Sequence, residues 1–122
     1  MIRLVLNEKK SLSESCKAIA EELEGKALLA DGDWNNRSRI NKLLIDISLH
    51  LGNIAGFCDR TSKEKINKVN RLISISMVEN MTLYNLKLLL PIIAGIQVDF
   101  YKRPFKLVNI SVSKLATIEV RR

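Results

Sequence analysis

The residues with the most evident chemical potential are Tyr101-Lys102-Arg103-Pro104-Phe105-Lys106, where two aromatic rings are interleaved with three cations. Cations neutralise phosphates and aromatic rings stack on unpaired bases, so this mixture suits single-stranded or looped RNA or DNA. Lys114, Arg121 and Arg122 fall on the strands expected next, within reach of the same bend. Residues 100–122 hold six Lys/Arg against one acidic residue, a net charge of +5. A second basic group, Arg60, Lys63, Lys65, Lys68 and Arg71, crowds the first turns of an expected helix. Positive charge there opposes the helix dipole by roughly a few tenths of a kcal/mol each, a cost that proteins tolerate, so this group is the weaker signal. Both groups also have a plain explanation. Lys and Pro on an edge strand prevent sheet-to-sheet aggregation, and cations on a helix keep its outer face solvated.

Other chemistry does not survive inspection. His50 is the single histidine and Asp46 precedes it by one helical turn. An Asp can orient an imidazole for base catalysis, but no third group is in sight and i,i+4 polar pairs are routine on a solvated face. Asp31-Gly32-Asp33-Trp34-Asn35 copies the opening of a calcium loop. The copy then fails, with Asn36 at the sharp-turn glycine position and Lys42 where the bidentate glutamate belongs. One histidine and two distant cysteines cannot supply a structural zinc site. There is no Gly-rich phosphate loop, nucleophile elbow or kinase signature. The sequence therefore reads as non-catalytic, without metal or cofactor.

The charge balance points the same way. The 122 residues carry a net +7, with −2 in residues 1–34 and +9 in residues 35–122. A field of that sign attracts phosphate polyanions, acidic lipid surfaces or an acidic protein. Cys16 and Cys58 fall on apolar helical faces and read as small buried hydrophobes. Met1 opens directly into Ile-Arg-Leu without a secretory pattern, which suggests a cytoplasmic protein. The longest apolar run, Leu88 to Ile96, has nine residues. A membrane span needs about 20, so no crossing is expected.

These groups need elements to position them. Apolar residues at 40, 43, 44, 47, 51, 54, 55 and 58 form one helical stripe, predicting a long helix over 36–58 around which the rest packs. Ile2, Leu4 and Leu6 alternate with Arg3 and Val5 in a short β-rich stretch, predicting a strand. Ser11-x-x-Glu14 reads as a capping box opening a helix with Leu12, Cys16, Ile19, Ala20 and Leu23 on one face, stopped by Gly25. Thr61-x-x-Glu64 reads as a second capping box, opening a helix to about Glu79 with Ile66, Val69, Ile73 and Met77 inward. Leu83 to Ile93 predicts a fourth helix, apolar on most sides and ended or kinked by Pro91. From Gly95 the period changes to two: Ile96, Val98 and Phe100, then Val108, Ile110 and Val112, then 117–121. That pattern predicts a three-stranded antiparallel meander bent at Lys102-Arg103-Pro104.

The expectation is one α+β domain over 1–122: about four helices around a long central helix at 36–58, with a small C-terminal antiparallel sheet of three strands that the N-terminal strand can join. The open sheet edge could support a homodimer. Charge and aromatics suggest a non-catalytic protein that binds RNA or single-stranded DNA, alone or as a subunit of a nucleoprotein or regulatory complex. The alternative is a protein-binding module, such as an immunity protein, antitoxin, inhibitor or adaptor, that blocks one partner. No motif ties the chain to a known family.

Overall fold

The computed structural model describes residues 1–24, 37–78, 83–108 and 110, without the side chains of 37, 75–78 and 83–85. The described elements are α1 (Ile2–Leu23), α2 (Arg37–Ala55), α3 (Arg60–Val78), α4 (Leu83–Ala94), β1 (Gln97–Asp99) and β2 (Lys106–Val108). Among the described residues this is a mostly helical α+β fold with a small two-stranded antiparallel sheet. The calcium-loop look-alike at 31–35, the capping glycine at 25 and the third strand at 117–121 lie outside the described residues. Asn109, Val112 and the Met77 side chain do as well.

The N-terminal strand is not formed; residues 2–6 are the first turns of α1. The reason is a stripe that local alternation hides. Val5, Leu12, Cys16, Ile19 and Leu23 follow spacings of seven, four, three and four, and all are buried. Extending the helix back to Ile2 brings Val5 onto that stripe, where burying such a side chain contributes about 1.5–3 kcal/mol. Ile2, Leu4 and Leu6 are left exposed. The Ser11 capping box is therefore helix interior.

Polar ties fix how α1 and α2 run. Arg39 near the start of α2 pairs with Glu22 near the end of α1 at 2.8 Å. At the other end, His50 Nδ1 hydrogen-bonds Glu8, and Asn53 Nδ2 donates to Glu8 Oε1 at 3.1 Å. The two helices are thus antiparallel. Packing runs from α4 to α1, α2, α3 and then β2, and the buried side chains of all six elements form one cluster.

α2 ends at Ala55, before the expected boundary at Cys58. Phe57 N–H and Cys58 N–H bond three residues back, tightening the chain out of the helix. The strand-like segment that follows lies beside Phe105: Phe105 N–H donates to Phe57 O at 2.9 Å and Asp59 N–H to Phe105 O at 2.8 Å.

α4 continues past Pro91 to Ala94. The proline costs about 3 kcal/mol by removing a donor and crowding the preceding turn. Leu89, Leu90 and Ile93, all buried, offset it at about 1.5–3 kcal/mol apiece. Leu88, Pro91 and Ala94 face outward, so α4 is buried on one side only.

β1 and β2 pair with Val98 opposite Leu107. The buried face of the second strand is Phe105 and Leu107, with Val108 only half-buried; the alternation expected from Val108 onward therefore starts one residue out of step, although Ile110 is buried. The Arg103–Pro104 peptide in the connecting turn is cis.

Candidate nucleic-acid interface

The N-terminus of α3 is capped by Asp59, two residues before the expected Thr61. Asp59 Oδ1 accepts the Ser62 N–H at 2.8 Å, one of the donors that a helix start leaves without an intrahelical partner. The Ser62 hydroxyl also donates to this carboxylate, and that bond is the largest reason its pKa lies below the ordinary value. The Ser62 N–H lowers it further, desolvation raises it by less than either bond lowers it, and Lys106 and Lys65 lower it by smaller amounts still. Ser62 Oγ in turn accepts the Leu107 N–H at 2.9 Å. One buried hydroxyl thus bolts the β-hairpin onto the start of α3.

That junction brings part of the two basic groups together. Lys63 and Arg103, with Met1, Phe57 and Pro104, border a depression of about 290 Å³. Lys65 and Lys106 sit close enough to Asp59 to act on its charge. Tyr101 projects from the hairpin turn at 99% exposure, its N–H held by Asp99 Oδ1 at 2.9 Å. Lys102, Arg103 and Lys106 are exposed around it.

The remaining residues are less concentrated. α3 buries Ser62, Ile66, Val69 and Ile73, and at about 100° per residue this leaves Lys63 on one flank and Lys65 and Lys68 on the other. Arg60 and Arg71 occupy the outward pole. Arg60 is partly neutralised by Glu64 at 3.6 Å, a fully solvated pair, and Lys68 and Arg71 lie further along the helix. Phe105 is 1% exposed and packs edge-on against Phe100, centroids 5.1 Å apart, leaving no face for a base. Of the two candidate stacking rings only Tyr101 is open. Lys114, Arg121 and Arg122 lie outside the described residues.

The His50–Asp46 pair suggested by sequence spacing is not formed. His50 turns to Glu8 of α1 instead of Asp46. Among the described residues no group of three His, Cys, Asp or Glu side chains could hold a metal. Burial pushes the Cys16 thiol up to about 12 and, aided by the Asp59 charge and opposed by Lys63, the Cys58 thiol to about 11. Both stay protonated at neutral pH and are poor nucleophiles. Among the described residues no helix is long and apolar enough to cross a membrane.

Comparison with protein-family models, curated proteins and solved structures returned no match.

Asp59 and Ser62 were missed at the sequence level. The Asp-x-x-Ser spacing before an apolar run was the available signal for the cap. Nothing local signals that the serine reaches Leu107.

Proposed function

We propose that this is a non-catalytic nucleic-acid-binding protein, acting alone or within a nucleoprotein or regulatory complex. It takes RNA or single-stranded DNA across the hairpin turn and the start of α3. The observation that carries this reading is that Lys63 and Arg103, from basic groups far apart in sequence, border one depression, while Tyr101, two residues before Arg103 on the same turn, is fully exposed. Phosphates lie against Lys63 and Arg103, a base stacks on Tyr101, and Lys102, Lys65 and Lys106 deepen the field. The recessed space beside Pro104 favours an unpaired, flexible strand over a stiff duplex.

Phosphate binding releases counterions, so log K falls by about 0.7 per phosphate on a single strand. Two to four phosphates then predict a loss of roughly 7- to 50-fold between 50 and 200 mM salt. Fluorescence anisotropy of a labelled random 20-mer measures this directly. Lys63→Glu with Arg103→Glu should abolish binding, while Lys68→Glu with Arg71→Glu should weaken it only modestly. Absent or salt-independent binding would refute the proposal.

One observation favours a protein partner instead. Ile45 and Leu49 stand one turn apart on the outer face of α2 at 49% and 62% exposure. An immunity, antitoxin, inhibitor or adaptor protein would use such side chains as anchors inside a polar rim. Capture of one stoichiometric protein without nuclease-sensitive material, lost on Leu49→Asp, distinguishes this reading.

A further inference from the structure

α1 and α4 do not close completely along their length. Between them runs a groove of about 350 Å³, at the small end of the range that ligand pockets occupy. Its lining spans residues 13 to 20 of α1 and 87 to 94 of α4, about 10 Å along each helix at 1.5 Å per residue. Cys16 and Ala20 form one apolar wall, Leu90 and Pro91 the other. The Cys16 thiol stays protonated, so that wall carries no charge.

The polar groups at the groove are selective. Lys17 and Lys87, one from each helix, line it, and among the described residues no carboxylate does. Neither ammonium is in an ion pair with a described carboxylate. Lys87 is half-buried, so its charge is only partly screened by water. Ser13 adds a hydroxyl that can donate to an anion.

We propose that this groove binds a small amphipathic carboxylate, its apolar body along Cys16, Ala20, Leu90 and Pro91 and its carboxylate held by Lys17 and Lys87. Two lysines from facing helices match one carboxylate by charge-assisted hydrogen bonds. The apolar walls require a hydrocarbon body, which excludes inorganic phosphate as the preferred ligand. The length of the groove admits a medium-chain acyl or an aryl acid and is too short for a partner helix of several turns. The site shares no lining residue with the depression between Lys63 and Arg103, so either can fail without the other.

Isothermal titration calorimetry of the full chain with octanoate, octan-1-ol and octylammonium tests this. Octanoate should bind at least about tenfold more tightly than octylammonium, the scale of one lost charge-assisted hydrogen bond, with octanol between them. Lys17→Glu or Lys87→Glu should weaken octanoate by about the same factor and improve octylammonium. Ala94→Leu and, separately, Ala20→Leu should abolish octanoate binding while circular dichroism shows the wild-type helix content. Lys42→Glu, exposed on α2 and outside both sites, should leave octanoate binding unchanged. The proposal is overturned if octanoate does not bind the folded protein, if the three probes bind alike, or if the lysine variants leave octanoate affinity unchanged.

Discussion

The Ser62 hydroxyl joins two segments 45 residues apart, accepting the Leu107 N–H at 2.9 Å while donating to the Asp59 carboxylate. Ser62 is the single buried polar side chain among the described residues. Removing a hydroxyl from this position strands a buried N–H, which costs the desolvation penalty of that group as well as the bond. Ser62→Ala should lower the unfolding free energy by about 2 kcal/mol in urea denaturation. A change below about 0.5 kcal/mol would mean the Leu107 N–H finds another acceptor.

Asp59 makes that junction sensitive to acid. Its folded-state pKa lies below its unfolded value, chiefly because of the Ser62 hydroxyl bond. Its contribution is therefore complete above the unfolded value, near pH 4, and is lost as pH falls through the folded one. Asp59→Asn cannot titrate. The stability difference between wild type and variant should stay constant from about pH 8 to 5 and shrink below about pH 4. A difference that grows on acidification would reverse the assigned sign.

Glu8 and His50 tie α1 to α2 across 42 residues of sequence, both about one quarter exposed. A double-mutant cycle with Glu8→Ala and His50→Ala at pH 7 should give a coupling of about 1 kcal/mol. Asp46→Ala should couple weakly to His50, because the imidazole is turned away toward α1. Strong Asp46–His50 coupling would restore the local pair that sequence spacing suggests.

Phe105 and Tyr101 should separate folding from binding. Phe105→Ala removes a fully buried ring and should cost about 3–5 kcal/mol of stability. Tyr101→Ala should leave the unfolding midpoint unchanged and weaken a single-stranded 20-mer by about 1–3 kcal/mol. Equal binding by wild type and Tyr101→Ala would remove the stacking role.

What could be read in the sequence depended on how local the signal was. The 3.6-residue stripes of α2 and α3 were legible to within a few residues, because each carries its own apolar face. The bend at Lys102–Pro104 was legible from its proline and its charges. The start of α1 was not, since five residues with alternate Ile and Leu satisfy a strand pattern, and only Val5's spacing to Leu12 shows the helix. Phe105 looked identical to Tyr101 in composition, yet one closes the core and the other faces water; the neighbouring Phe57–Asp59 backbone decides that. The convergence of Lys63 with Arg103 is equally non-local. It follows from the Ser62–Leu107 bond and the pairing of Phe105 beside Cys58, neither of which a single stretch encodes.

The ties between α1 and α2 act like a vernier. Fourteen residues separate Glu8 from Glu22, and fourteen separate Asn53 from Arg39, so both ends meet only at one alignment of two rods about 21 Å long. Inserting one residue between positions 9 and 15 would swing Glu22 by about 100° relative to Glu8 and break its pair with Arg39. The same insertion would carry Cys16 and Ala20 out of line with Leu90, so the calibration of one helix pair also sets the shape of the groove on its far side.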